Sequence, residues 1–210
     1  MNGTDKQRAT DYWDKFYNTG TFRELTPSPF AEYVVRTETS VSKFARPRTL
    51  LDLGAGNCRD SIYFSSKGFI VSAVDKSLPK IVSHPGLTFK REDLLKTPLT
   101  GYDIIYLRFV VHAISEYDLD KLITKLAKLS KETRIYIETR SITGVLEGEK
   151  AETFLKLSVG DAHFRMLYSQ PYLERKFEKL FTLHSSEHAT GFAPYQNEDP
   201  FIIRLNLSPI

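Results

Sequence analysis

The sequence predicts an α/β fold built on a doubly wound sheet, and three observations predict it. Short apolar runs alternate with helix-length amphipathic segments along most of the chain. The run Thr49 to Leu53 breaks on Gly54-Ala55-Gly56, as a buried strand does when it turns tightly into a helix. An acidic residue, Asp75, closes the next apolar run about twenty residues further on.

Each element has its own signal. Tyr12, Trp13, Phe16 and Tyr17 fall at helical spacing in the segment Asp5 to Asn18, which reads as a helix. Thr21 to Pro29 is rich in turn residues and reads as a loop. A second helix is expected from Phe30 to Val41, with Phe30, Val34 and Val41 on one side. Then come a strand at Thr49 to Leu53, a helix at Asp60 to Lys67 stopped by Gly68, and a strand at Phe69 to Val74. Further strands are expected at Leu87 to Lys90, Tyr102 to Phe109 and Arg134 to Thr139, with a helix at Asp118 to Leu129 between the last two. Gly148 to Tyr168 interrupts the alternation and is expected to form a lid or insertion. A helix at Tyr172 to Lys179 leads into strands near Leu180 to Ser185 and Phe201 to Leu207. Only a loop joins these two, so they should pair antiparallel. The sum is a Rossmann-like, doubly wound, seven-stranded sheet, mostly parallel with an antiparallel C-terminal strand.

The 210 residues are enough for one domain, expected to divide into a helical cap (1–45), a half carrying the glycine turn (46–140) and a lid with the C-terminal half (141–210). Apolar residues at 41% and charged residues at 26% exclude a disordered tail, a collagen-like fibre and a coiled coil. Net charge is only +3, so affinity for a polynucleotide through phosphate neutralisation is not expected. The single cysteine, Cys58, excludes an intramolecular disulfide and a multi-cysteine zinc site, and no spacing supports any other metal. The N-terminal stretch lacks the apolar core of a signal peptide, and no run reaches the roughly 18 apolar residues of a membrane span. A cytoplasmic protein is the expectation.

In a doubly wound sheet, ligands bind beyond the carboxyl ends of the strands. Gly54 and Gly56 permit close approach of a ligand to the backbone, and the helix start after them offers free N–H donors. Asp75 is placed to accept both hydroxyls of a ribose. A nicotinamide enzyme would want a third glycine where Arg59 stands. Glu92-Asp93 comes just after the third strand, where a carboxylate can accept an adenine amino group with Leu94 and Leu95 packing on the ring; read otherwise, it is a solvated charge in the KRED run.

Together LLDLGAGNCRDS, AVDKS and REDLL resemble the three cofactor motifs of class I methyltransferases that use S-adenosylmethionine (SAM) and release S-adenosylhomocysteine (SAH). The resemblance spans roughly Leu50 to Thr139. It implies a cofactor held by Asp52, Gly54, Ala55, Gly56, Arg59, Asp60, Asp75, Lys76, Asp93, Leu94 and Arg108. Cys58 departs from the family, which usually has a third glycine there.

The residues after the fourth strand bear on the acceptor. Leu107-Arg108-Phe109-Val110 lacks the proline-rich signature with which the family handles exocyclic amines, which points away from base or amide N-methylation. A hydroxyl acceptor must lose a proton, and His112 can take it near neutral pH; alternatively it is a structural helix-start histidine. Arg108 can face the cofactor carboxylate or a substrate oxygen, or simply pair with Asp103 or Glu138. Glu138 and Arg140 end the fifth long strand on the ligand side. Asp161-Ala162-His163-Phe164-Arg165 sets an acid, a histidine and a cation above the pocket, and Tyr195, Glu198 and Asp199 occupy a long loop suited to the acceptor.

Over nearly the whole chain, DYWDKFY, PSPFAEYV, LRFVVHAI, ETRS, DAHFR and GFAPYQNEDPFIIRL add a narrower resemblance. It is to glycan O-methyltransferases encoded with or fused to glycosyltransferases, such as the C-terminal domain of a chlorovirus capsid-glycan glycosyltransferase. That resemblance implies a sugar hydroxyl, a terminal rhamnose among them, as acceptor, and a glycosyltransferase as partner. It further implies that Trp13, Tyr17, Ser28 and Phe30 close over the methionine end of SAM, with His112 as base. His163, Arg165 and Tyr195 would contact the sugar, with Glu138, Arg140 and Glu198 beside them. Two other readings stay open: a small-molecule O- or carboxyl-methyltransferase, and a catalytically silent SAM-fold binding module.

Overall fold

The structure is a computed structural model that describes residues 11–17, 26–41, 46–77, 84–146, 148–155, 163–195 and 197–210. A helix over residues 11–17 (α1) is the described part of the expected N-terminal helix, and it carries all four of its aromatics. Helix α2 (Pro29–Val41) begins one residue before the expected start. Asp161 and Ala162 of the acid–histidine–arginine motif lie outside the described residues, as do residues 21–25 of the expected loop.

The sheet keeps to the predicted plan. Strands β1 (Thr49–Leu53), β2 (Ile70–Asp75), β3 (Leu87–Arg91), β4 (Ile104–Arg108) and β5 (Arg134–Arg140) are parallel. The last two of the seven, β8 (Phe181–Ala189) and β9 (Ile202–Pro209), pair antiparallel, and β9 also pairs antiparallel with β5. The order β3-β2-β1-β4-β5-β9-β8 reverses direction between β1 and β4, which opens the crevice where such sheets bind ligands.

Helices cover both faces because the central strands are apolar on both. β1 and β4 are buried at nearly every position, as a central parallel strand requires. On one face α2 and α3 (Arg59–Ser66) pack Phe30, Val34 and Phe64 against Leu50, Ile104, Tyr106 and Tyr136. On the other, α4 (Glu116–Leu126) and α5 (Gln170–Phe177) pack Leu119, Leu122, Leu173 and Phe177 against Leu51, Ile105, Ile135 and Leu205. Ser115 and Ser169 cap these two helices by accepting the N–H of Asp118 and Tyr172.

One expectation changes form. The described residues between 148 and 168 form a two-stranded antiparallel sheet, β6 (Lys150–Leu155) with β7 (His163–Tyr168), separate from the main sheet. Every residue of β7 is buried, so its polar members, His163 and Arg165, sit inside the molecule and not on a solvated flap. No helix among the described residues is long and apolar enough to cross a membrane.

Candidate active site

A cleft of about 510 Å³ lies beyond the carboxyl ends of β1, β2, β4 and β5. The chain turns into it at Gly54 and Gly56, whose φ angles of +78° and +54° lie in the left-handed region. A Cβ at Gly54 would meet Val110 Cγ2 at 2.4 Å, and one at Gly56 would meet Tyr17 Oη at 2.5 Å. Cys58, at the position where the resembled family has glycine, also adopts a left-handed φ of 62°. That conformation is why glycine is the usual occupant.

Carboxylates gather on the β1–β3 side. Asp75 closes β2 and accepts the Gly56 N–H at 2.8 Å on one oxygen, and the Ser77 N–H and Oγ at 2.8 and 2.9 Å on the other. Asp93 accepts the Leu95 N–H at 2.9 Å and pairs with Lys76 at 2.8 Å. Asp52 takes the Ser61 hydroxyl at 2.5 Å, yet burial, with Asp60 and Asp75 alongside, pushes its carboxyl up to about 8. Asp60 ties the start of α2 to the sheet by accepting the Ser28 N–H and hydroxyl, each at 2.7 Å, and the Tyr106 hydroxyl at 2.8 Å.

Cations gather on the β4–β5 side. Arg108 ends β4, donates to Glu138 at 2.9 Å and lies over the Phe109 ring at 4.3 Å. Glu138 is fully enclosed; its other oxygen accepts from Arg204 Nε at 2.8 Å. Arg204 in turn donates to the Phe192 carbonyl at 3.2 Å, which anchors the loop bearing Tyr195. Arg140 donates to Glu198 at 2.8 Å. Arg165, on β7, is 4% exposed and stands over the Trp13 ring at 5.3 Å. Burial, with Arg140 adding to it, pulls Arg165 down to about 9, so it remains a cation at neutral pH.

Of the residues singled out in the sequence, the cleft is lined by Trp13, Tyr17, Ser28, Asp52, Gly54, Ala55, Arg59, Asp60, Asp75, Lys76, Asp93, Leu94, Arg108, Arg140, Arg165 and Tyr195. Asp199 is outside the lining, accepting the Gly191 N–H at 2.7 Å within its own loop, and six others are placed elsewhere. Phe30 is a core side chain stacked on Tyr106 at 5.2 Å, because its position on α2 faces the sheet. Gly56 lies beneath the Tyr17 hydroxyl. Glu138 is sealed between two arginines, and His163 is buried against Tyr12 with ring centroids 4.4 Å apart. Glu198 stands on the loop and reaches the cleft only through Arg140.

The sixth is His112, and the correction is chemical as well as spatial. It sits in a 3₁₀ turn (Val111–Ala113), fully enclosed, with Nδ1 2.9 Å from the Arg140 backbone N and 2.9 Å from the Thr139 hydroxyl. An amide N–H only donates, so Nδ1 carries the lone pair and the neutral ring keeps its proton on Nε2. Burial, reinforced by Arg165 and Arg140, holds the ring well below the usual histidine range. His112 is therefore a buried neutral ring whose lone pair is already engaged and whose Nε2 has no hydrogen-bond partner among the described residues, an arrangement that does not suit a base. Sequence reasoning missed Tyr106, Arg204 and Phe109. Tyr106 and Arg204 lie inside strand patterns that read as core, while the φ of 60° at Phe109 has no signal in residue type.

The chain matches the family model of tellurite resistance protein TehB over residues 7–129. No curated protein sequence matches it. Among solved structures it is similar to the Burkholderia thailandensis 1,6-didemethyltoxoflavin-N1-methyltransferase with bound 1,6-didemethyltoxoflavin and SAH, at 16% identity and a TM-score of 0.71, over 100% of this chain and 91% of that one. The DhpI–SAH complex is similar at 13% identity and 0.65, over 99% and 98%. The glycopeptide N-methyltransferase MtfA complexed with SAM is similar at 12% identity and 0.60, over 90% and 98%. At these identities the likeness is one of fold: a seven-stranded, mostly parallel, Rossmann-like methyltransferase sheet.

Proposed function

This chain belongs to the TehB family and is a SAM-dependent methyltransferase, and we propose that its acceptor is an oxygen of a polar, sugar-like molecule: a carbohydrate hydroxyl, with a terminal rhamnose of a glycan as one candidate. The cleft suits the cofactor on its own features. The backbone turns into the cleft at Gly54 and Ala55 so tightly that Val110 and Tyr17 leave no room for a side chain at either flanking glycine, and the wall beside this turn is acidic. Asp75 would hold the ribose hydroxyls, Asp93 and Leu94 the adenine, and Ala55 with the flanking glycines the adenosine edge. Lys76 would keep Asp93 oriented, Asp52 and Asp60 would fix the turn from behind, and Arg59 and Arg108 would face the cofactor carboxylate. When bound, SAM supplies an electrophilic methyl group on a sulfonium.

The protein's own work is then alignment of the acceptor, with the hydroxyl proton released to solvent at the mouth of the cleft because His112 does not take it. Trp13 and Tyr17 cover the cleft from α1, and Ser28 holds the α2 start closed through Asp60. Arg140, Arg165 and Tyr195 would orient the acceptor. The observation that carries a sugar-like acceptor is this wall of guanidinium donors set among the flat rings of Trp13 and Tyr195, which suits a hydroxyl-bearing ring. Association with a glycosyltransferase belongs to the same reading.

A second reading, methylation of a small-molecule hydroxyl or carboxyl, is favoured by His112. As a buried neutral ring it does not take a proton, and an ionised carboxylate needs none taken. Incubation with labelled SAM and a panel of glycans, free sugars and small acids, followed by mass mapping, tests both. Alkali-stable methyl ether on a sugar supports the first reading, alkali-labile methyl ester the second, and label on nitrogen alone refutes both.

A further inference from the structure

The acceptor side of the cleft holds more positive charge than its own surroundings balance. Its described lining residues from α1, β5, β7 and the loop before β9 include Arg140 and Arg165, and among those described residues there is neither a carboxylate nor an imidazole. Arg165 is the sharper case. It is 4% exposed, its Nε has no hydrogen-bond partner, and one of its terminal nitrogens donates to the Phe164 carbonyl at 3.1 Å. A buried guanidinium is ordinarily matched by an anion, because desolvation of an unmatched charge costs several kcal/mol. Among the described residues lining this side of the cleft, the other charged side chain is also a cation, Arg140. Arg140 is itself held by Glu198, whose side chain is 46% exposed and so free to exchange its contact with a ligand.

We propose that Arg165 and Arg140 form a subsite for an anionic group carried by the acceptor, so that this enzyme acts on an acidic, sugar-like molecule bearing a carboxylate or phosphate. The inference rests on the methyltransferase reading above and names its substrate class. An oxyanion in the cleft would meet the part of the Arg165 guanidinium that lines the wall, with Arg140 on the same wall, and would match a buried charge that lacks a counter-ion among the described residues. The Trp13 face beside Arg165 supplies a flat apolar wall for an organic body, which a bare inorganic anion would leave uncovered.

Trp13 is the only tryptophan, and it touches the subsite, so its emission reports occupancy without any turnover. The SAH-loaded protein is titrated with glucuronate, glucose 6-phosphate, glucose and tellurite. An emission change at least about tenfold tighter in dissociation constant for either acidic sugar than for glucose is expected, and the stronger of the two identifies the anion. Arg165→Gln should weaken acidic-sugar binding about 10–100-fold, the loss of one charge-assisted contact, while SAH affinity by calorimetry stays within about twofold. SAH affinity also certifies that the variant is folded; should it fail to fold, Arg140→Gln carries the same expectation. Equal affinity for glucose and the acidic sugars, or acidic-sugar binding indifferent to both substitutions, overturns the subsite. A response to tellurite alone overturns it in favour of a bare oxyanion site. Failure of the wild-type chain to bind SAH would instead refute the cofactor reading on which the subsite rests.

Discussion

Replacing Gly54 by alanine tests the packing of the cleft floor in one measurable step. The new Cβ would lie 2.4 Å from Val110 Cγ2, well inside contact distance, at a φ of +78°. Two costs arise. A left-handed backbone costs a residue with a Cβ about 1–2 kcal/mol, and forcing a methyl into a filled space adds about 1–3 kcal/mol. The stiffer unfolded chain returns about 0.4–1 kcal/mol. The net loss should be about 2–4 kcal/mol. Gly68 is the control: its φ is +88°, but an added Cβ would meet nothing within 4 Å, so Gly68→Ala should lose only about 1 kcal/mol. Urea unfolding reads both as shifts in midpoint at constant slope. Val110→Ala removes the clashing methyls, so it should recover about 1–2 kcal/mol in the Gly54→Ala background while destabilising the wild type. Equal losses for the two glycines, or no recovery from Val110→Ala, would refute the claim that close approach sets the identity of residue 54.

Asp75→Ala should abolish SAM binding by calorimetry, and affinity retained within about threefold would remove Asp75 from the ribose. The raised carboxyl of Asp52 makes stability depend on pH. Its folded value of about 8 lies above the unfolded carboxylate range, so the protonated form favours folding; that contribution is full below about pH 4 and is lost as pH rises towards 8. Between pH 5 and 7 the wild type should lose about 2–3 kcal/mol from this group, and Asp52→Asn should flatten the profile in pH-resolved unfolding; an unchanged slope contradicts it. Glu138→Gln leaves the Arg108 and Arg204 guanidinium groups buried against a neutral amide, and should cost about 3–5 kcal/mol in chemical unfolding. A loss below about 1 kcal/mol would show that the two arginines find other partners.

Much of the fold is legible in the sequence because its signals are local. Short continuous apolar runs such as Ile104 to Leu107, bounded by turn residues, read as central strands, and the glycine pair after Leu53 reads as a turn. The antiparallel pairing of β8 with β9 results from the lack of any crossover between them. The pairing of β6 with β7 escaped because seven residues separate KAETFL from HFRMLY in the sequence, where a two-residue turn signal would have announced it, and burial of all of β7 masks its alternation. At the cofactor end, residue type and spacing sufficed to bring Asp52, Asp75 and Asp93 to one cleft. At the acceptor end they did not suffice. Whether Glu138 meets a ligand or Arg204, and whether His112 gives or takes a proton, depends on a backbone N–H from Arg140 and on a strand near the end of the chain. Those are tertiary facts, invisible to spacing.

The two banks of the cleft are drawn from different stretches of polypeptide. The acidic bank comes from residues 52 to 93, while Arg140, Arg165 and Tyr195 on the facing bank all come later. On the proposed reading of the acceptor wall, exchanging the later third of the chain would change the acceptor while the acidic bank stays, with Trp13 as the part of that wall left behind. A chimera joined after β4 would have to import Arg204 together with Glu138, since one arginine without its carboxylate would unseat Arg108 and the donor side with it.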